Sequence, residues 1–358
     1  MADIMLFGAT GFTGRLTADA LARRGADFAI AGRNRAKLEE LARSTGSPDI
    51  HLANVEDVDS LVRALRGSRV LITCVGPFVE LGTTAAEAAL AAGVHYLDST
   101  GEAVFVHKLV EEFDARARSR GIALAPSIGF DEVPADVGLT LACGELQQPA
   151  AAVTFAAPST GSAGTVRSAL HILTSAGWGV TDGRIARITM GERERWVPMP
   201  PPLGVRRSIS APLAIGRLAP MHIDFESLQV FVTTGTAQRL ALKAGVPAAR
   251  AALKLPRVRT ALFDAVERLI TGPGSGARSK RWTVLVEARS HGRYRNVVIT
   301  GRDVYGLTGE LLAAGAITMA DEKYSGRGVM APVEAIGLET LHKELLDFGV
   351  TIETFEPV

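Results

Sequence analysis

The chain has 358 residues, with 39 Lys and Arg against 38 Asp and Glu and a formal net charge of +1. That balance argues against a general nucleic-acid binder, which carries a basic excess, and against an acidic disordered chain, so no nucleic-acid partner is expected. With 47% hydrophobic and 22% charged residues, the chain can bury a substantial core, and its length suggests about two domains.

Ile4 to Phe7 reads as a short apolar strand and Arg15 to Arg24 as a helix, with Leu16, Ala20 and Leu21 at helical spacing and Gly25 as the stop. Between them, Gly8-Ala9-Thr10-Gly11-Phe12-Thr13-Gly14 has GxxGxxG spacing. Glycines between a strand and a helix let the backbone turn tightly and approach a pyrophosphate, whose charge the amides of the helix N-terminus stabilise. Gly8, Ala9, Thr10, Gly11, Phe12, Thr13 and Gly14 are therefore candidate cofactor residues, although the trio alone also fits an ordinary tight turn.

The next strand, Phe28 to Ala31, runs into Gly32-Arg33-Asn34-Arg35. An NAD-binding domain places an acidic residue here, on the adenosine ribose. Arg33 instead offers a guanidinium for bidentate pairing with a 2′-phosphate, with Asn34 beside it, so NADP(H) is the expected cofactor. The other reading makes Arg33 and Arg35 solvated loop charges.

Further units follow: a helix over 36–44, an edge strand at 50–52, a helix over 58–66, a strand at 70–75, a helix over 83–92, a strand at 95–98, a helix over 104–119 and a strand at 122–125. Strands alternating with helices in this way predict an α/β domain, a Rossmann doubly wound parallel sheet. After Pro149 the strand-like segments 152–155 and 227–232 are separated by irregular pieces. Segments 283–288 and 295–299, joined through His291-Gly292-Arg293, read as an antiparallel hairpin. Trp196 to Pro202 contains Pro198, Pro200, Pro201 and Pro202 and is expected to lack regular structure, as an entrance or a packed connector. Helices are expected over 309–320 and 332–348.

Cys74 and Cys143 are too few for a disulfide framework and lack CxxC spacing, so a reducing compartment is the default. Met1-Ala2-Asp3-Ile4 shows no basic stretch leading into an apolar one, and no run approaches the roughly 18 apolar residues of a membrane span. A cytoplasmic protein, at most peripheral to a membrane, is the expectation.

The motifs carry a family resemblance. Gly8 to Arg15, the Ala31-Gly32-Arg33 turn, Cys74-Val75-Gly76-Pro77-Phe78 with Gly82, and His95 to Glu102 resemble the saccharopine dehydrogenase-like oxidoreductases. So do Gly129-Phe130-Asp131-Glu132-Val133-Pro134-Ala135-Asp136, Tyr305-Gly306-Leu307-Thr308 and Gly326 to Pro332, with Glu132 and Ala135 standing where the family often has serine. Within that family the chain is similar to the actinobacterial branch of trans-acting enoyl reductases. The resemblance implies NADPH-dependent reduction of a carbon–carbon double bond in an acyl or polyketide lipid intermediate, and a C-terminal segment that returns to the first domain. The resulting domain reading is an NADP-binding Rossmann domain over 1–130, a substrate or dimerisation α+β domain with a mainly antiparallel sheet over 131–325, and a C-terminal helix and strand over 326–358. A homodimer stays open.

Gly76, Pro77 and Phe78 follow the fourth strand at the carboxyl edge of the sheet, where ligands bind in open α/β folds, and are assigned to the nicotinamide half. Thr100 and Gly101 join the cofactor set. Enoyl reduction also needs an enolate stabiliser and a proton for the α-carbon. Tyr96 and Asp131 are the catalytic candidates, from a group that includes Asp98, Thr100 and Glu102. Thr100 and Asp131 fit helix N-caps as well, and water is an alternative proton donor. The histidines show no HxH or HExxH grouping, so no metal is expected, and His171 reads as a core histidine rather than an acid.

Residues 236–282 hold ten basic side chains against Asp264 and Glu267, a local net charge of +8 that leaves −7 for the rest. Leu255, Val258, Leu262, Val266, Leu269 and Ile270 recur there at helical spacing. This reads as a solvated outer face or as a dock for an acidic carrier protein or an anionic membrane surface. Two other functions stay open. One is a saccharopine-type imine or amino-acid reductase whose carboxylate-binding arginines would be Arg167, Arg184 or Arg187. The other is a non-catalytic NADP(H)-binding protein that docks to a partner or a membrane.

Overall fold

The computed structural model describes residues 2–157, 171–172, 175–235, 255, 258 and 279–356. They fall into two compact units, one of Met1–Gly101, Phe105–Val133 and Val304–Phe348, the other of Glu102–Val104, Pro134–Asp303 and Gly349–Val358.

In the first unit, β1 (Ile4–Phe7), β2 (Phe28–Gly32), β3 (Ile50–Leu52), β4 (Val70–Thr73), β5 (His95–Asp98) and β6 (Ala123–Ala125) alternate with helices. These are α1 (Phe12–Arg23), α2 (Arg35–Ser44), α3 (Val58–Ala64), α4 (Phe78–Ala92), α5 (Ala103–Lys108) and α6 (Asp114–Arg120), the last two joined by a π-helical turn at Leu109–Phe113. The strands are parallel in the order β6-β5-β4-β1-β2-β3. Strands β1 and β4 are buried throughout, because a parallel sheet with helices on both faces leaves no solvated side; their sequences are accordingly near-continuous apolar runs, with Thr73 ending β4, rather than alternating ones. Strand order reverses between β1 and β4, which places a ligand crevice at their carboxyl ends. Helices α4 and α6 stop at Gly93 and Gly121, whose φ values of 71° and 70° lie in the left-handed region that glycine enters without strain.

The second unit begins with α7 (Val133–Cys143) and continues through β7 (Ala150–Ala156), β8 (Ala176–Thr181), β9 (Arg184–Thr189), β10 (Glu194–Met199), β11 (Gly204–Ser210), α8 (Ile215–Leu218), β12 (Ser227–Thr233), β13 (Arg281–Ser290) and β14 (Arg293–Arg302). The order is β10-β11-β12-β7-β13-β14, with β8 on β12 and β9 on β8. The sheet is mixed: β7 and β12 are parallel and the other pairs antiparallel. The expected hairpin is present as β13 and β14, turning at His291 and Gly292 with positive φ.

The stretch from Trp196 to Pro202 departs from its expected irregularity. Residues through Met199 belong to β10, and Pro198 pairs opposite Val205 on β11. Among the described residues β10 ends the sheet, so the missing N–H of Pro198 removes no ladder bond from a second neighbour there. Val197 and Met199 pack with Leu285 and Val298 in an apolar cluster, while Trp196 stands exposed under the Arg207 guanidinium, 4.9 Å from its ring.

The chain re-enters the first unit at Val304 as α9 (Val304–Ala320), followed by β15 (Gly328–Val329), α10 (Pro332–Ile336) and α11 (Leu338–Asp347). The segment expected to begin at 326 lies inside this return. Strand β15 adds to the first sheet beside β6, and the last strand, β16 (Thr351–Phe355), adds to the second beside β14. The helix expected over 332–348 is two helices, because Gly337 at φ 94° interrupts it.

Helix α9 packs directly on α1. A Cβ at Gly309 would sit 3.0 Å from the Leu16 carbonyl carbon and 3.1 Å from its Cβ. At the end of α1, Arg24 pairs with Glu310 on α9 at 2.8 Å and with Glu344 on α11 at 2.6 Å. Replacing Gly309 with valine is expected to force the two helices apart and lower stability by about 1–3 kcal/mol, measured as a reduced urea midpoint with unchanged slope.

Candidate functional site

The site is built at the carboxyl edge of the first sheet. Gly8 ends β1 at φ +79°, and its amide donates to the Ala31 carbonyl at 3.0 Å. A Cβ at Gly8 would meet Val75 at 2.6 Å, and one at Gly14 would lie 2.3 Å from the Gly8 carbonyl oxygen and 2.8 Å from the Ala9 Cα. Side chains at either position would fill the cradle, so both glycines are sterically required. The Gly11 amide closes the turn on the Gly8 carbonyl at 3.0 Å, and Gly11 is the N-cap residue of α1 with no side-chain cap. The first amides of α1 thus carry the positive end of a twelve-residue helix dipole into the crevice. Phe12 lies over this loop, edge-on to Tyr305 of α9 with ring centroids 5.0 Å apart.

Arg33 follows β2 directly, exposed, with no ion pair or hydrogen bond among the described residues. Arg35 instead lies 3.9 Å from Glu39. Asn34, expected beside the cofactor, is the N-cap of α2, and its side chain accepts from the Lys37 amide at 3.1 Å. That places Arg33 at the second-strand edge with its guanidinium available to a phosphate, and no acidic residue takes the ribose position. On the far side of the switch point, Cys74, Val75, Gly76 and Pro77 link β4 to α4, which starts at Phe78. The Cys74 amide donates to the Phe7 carbonyl at 3.0 Å, tying this turn to β1. Burial pushes the Cys74 thiol up to about 12, so it stays protonated and unreactive.

Tyr96 and Asp98 on β5 form a structural pair. Both are buried, and the Tyr96 hydroxyl donates to Asp98 Oδ2 at 2.5 Å. Burial and the neighbouring carboxylate raise the phenol well above its ordinary value. Its proton is committed to Asp98, and the ring has no solvent contact. The other Asp98 oxygen accepts the amides of Thr100 at 2.8 Å and Ser127 at 3.0 Å, and the Asp98 carbonyl accepts the Ile128 amide at 2.7 Å. Thr100 and Gly101 are held by this turn.

Asp131 lies in the loop after β6. Its carboxyl adjoins Gly101, where a Cβ would stand 3.2 Å from Oδ2. It makes no hydrogen bond or ion pair among the described residues, so it caps no amide of α7. Asp131 is an exposed residue, and the protein beside its carboxyl raises it above the ordinary aspartate value, to about 6. Of the two catalytic candidates, Asp131 stands exposed beside Gly101 in the loop after β6, and Tyr96 lies inside the core.

Other features were not legible beforehand. Ser127 is buried at φ 67°, and its hydroxyl makes no hydrogen bond among the described residues. In the second unit, His222 Nε2 lies 2.8 Å from Asp136 Oδ1, a pair joined across 86 residues that no local spacing announces. Arg184 and Arg187 lie exposed on β9, and Arg167 lies outside the described residues. Among the described residues no group of three or more His, Cys, Asp and Glu side chains could hold a metal ion, and no helix is long and apolar enough to cross a membrane.

Residues 4–124 match the saccharopine dehydrogenase NADP binding domain, so the first unit carries an NADP(H)-binding domain of that type. A trans-acting enoyl reductase of Mycobacterium tuberculosis is 33% identical over 143 residues, covering 38% of this chain and 34% of that protein. A lipid droplet localized protein of Caenorhabditis elegans is 31% identical over 149 residues, covering 38% of this chain and 35% of that protein. The matches thus span about a third of the length of these curated relatives. Over 100% of both chains, the structure is similar to apo saccharopine dehydrogenase (L-Glu forming) from Saccharomyces cerevisiae, with a TM-score of 0.65 and 14% identity, which establishes a shared fold.

Replacing Arg33 with aspartate is expected to weaken NADPH by about tenfold to a hundredfold, the worth of a charge-assisted hydrogen bond, and NADH far less. Fluorescence titration with each cofactor measures this, and equal losses would remove the 2′-phosphate assignment.

Proposed function

We propose that the protein is an NADPH-dependent oxidoreductase that reduces a carbon–carbon double bond conjugated to the carbonyl of an acyl or polyketide lipid intermediate. The observation that carries this reading is the NADP(H)-binding domain of residues 4–124, with the exposed, unpaired Asp131 carboxyl in the loop after its sixth strand. The names of the mycobacterial relatives support it over 38% of the chain.

NADPH, when bound, supplies the hydride. The protein's part is to orient and to protonate. The amides at the start of α1 and the Arg33 guanidinium hold the two phosphate regions, which fixes the position of the reacting end and converts binding into orientation. After hydride reaches the β-carbon, the α-carbon takes a proton from the Asp131 carboxyl, which recovers one from water. A carboxyl of ordinary acidity would be almost wholly ionised near neutrality; the raised value keeps a usable protonated fraction.

In the same reading the basic segment 236–282 docks an acidic carrier protein or an anionic membrane, which would bring the lipid intermediate to the enzyme. Apart from 255, 258 and 279–282 it lies outside the described residues. Flotation with anionic vesicles is expected to recover the protein at low ionic strength and to lose it as salt rises; no recovery at low ionic strength would remove the membrane role.

The acid must be protonated to act, so kcat is expected to be highest below pH about 6 and to fall as pH rises through that value. Asp131→Asn should lower kcat about a hundredfold and abolish that limb of the pH profile. The assay follows NADPH oxidation with a trans-2-enoyl thioester of N-acetylcysteamine, and an unchanged profile in the variant would exclude Asp131 as the donor.

A further inference from the structure

The motif Tyr305-Gly306-Leu307-Thr308 lies in the first turns of α9, far in sequence from every residue assigned above. Its two side chains with polar atoms reach two different loops of the site. Tyr305 stacks edge-on against Phe12 in the glycine loop. The Thr308 hydroxyl accepts the buried amide of Phe130 at 3.1 Å, across 178 residues, and donates its own proton to the Val304 carbonyl at 2.8 Å. Because the proton is committed within the helix, the oxygen faces Phe130 purely as an acceptor. Close approach is possible because residue 129 is glycine: a Cβ there would stand 3.3 Å from the Thr308 methyl. Phe130 immediately precedes Asp131, and Gly101 closes on the other side of the Asp131 carboxyl.

We propose that Thr308 is a positioning residue for Asp131, holding the proton-donating loop through the Phe130 amide while the neighbouring turn of the same helix holds the cofactor loop through Tyr305. Thr308 touches no reacting atom in this scheme. Its hydroxyl sets where the Asp131 carboxyl stands, and a misplacement of about an ångström is enough to reduce proton transfer severely. A Rossmann sheet can form its cofactor cradle from α1 and β4 alone; the return of the chain at Val304 is what adds a fixed acceptor beside the acid. The inference rests on the assignment of Asp131 as the proton donor.

The test compares Thr308→Val, which keeps the shape and removes the acceptor, with Thr308→Ser, which keeps the acceptor. Each is assayed for NADPH binding, for kcat with the enoyl thioester above, and for the titration midpoint of the Asp131 carboxyl by carbon NMR. Thr308→Val is expected to lower kcat about tenfold or more with NADPH Kd unchanged. It should also move the Asp131 midpoint from about 6 toward the ordinary value of about 4 as the carboxyl leaves the position it holds beside Gly101. Thr308→Ser should restore both. If Thr308→Val does not fold, Gly129→Ala replaces it, pressing a methyl against Thr308 with the hydroxyl retained, and the same two changes are expected. An unchanged kcat and midpoint in the valine or alanine variant would overturn the positioning role while leaving Asp131→Asn to judge the donor separately. A serine variant that fails to recover either quantity would likewise reduce Thr308 to a packing residue. If Asp131→Asn keeps the pH profile but Thr308→Val still shifts the carboxyl midpoint, the donor assignment falls and the Thr308–Asp131 coupling stands.

Discussion

A carboxylate without solvent, Asp98, organises the edge on which the site stands. Removing an ionised carboxylate from water costs several kcal/mol unless hydrogen bonds replace the lost hydration. Here the Tyr96 hydroxyl and the amides of Thr100 and Ser127 supply donors. Two of these belong to loops that follow different strands, β5 and β6, so satisfying one charge fixes two loops at once. Ser127 accepts an unfavourable φ of 67° within that arrangement. The observed strain is consistent with a loop whose path is dictated by the hydrogen bonds it must make rather than by its own preferences.

From that edge the two halves of the proposed chemistry separate. The cofactor half depends on backbone: Gly8 and Gly14 leave room, Gly11 begins a helix without a side-chain cap, and charge is met by amides and one free guanidinium. The proton half depends on an exposed, unpaired side chain, Asp131, with Gly101 beside it. Helix α9 reaches both, through Tyr305 and Thr308, and is itself clamped to α1 by the close approach at Gly309 and the ion pairs of Arg24. A segment late in the chain therefore supports a cradle made by its first residues.

Much of the first sheet was readable because parallel strands and their helices leave local marks: apolar runs of four or five residues, helical periodicity and glycine stops. The second sheet left weaker ones. Strands β8, β9 and β11 were not read, since β8 is interrupted by Gly177 and Gly179 while β9 and β11 mix arginines with apolar residues and lack a clean alternation. Pro198 misled for a related reason: proline forbids a central strand but is tolerated where only one neighbour pairs, and edge position is a property of the sheet order, not of the residue. At the site, the roles of Tyr96 and Asn34 were equally hidden. Tyrosine beside an aspartate looks reactive in sequence, and only burial and the bond to Asp98 assign it to support; Asn34 is engaged as a helix cap.

What the sequence determined by itself was the expectation of an NADP(H)-binding domain, because glycine spacing and an arginine in place of an acid both lie within the first 35 residues. What only the tertiary structure decided was which polar side chains are structural and which stand available, and that α9 comes back to hold them. Which polar groups are paired depends on contacts between residues as distant as Phe130 and Thr308, which no local pattern encodes.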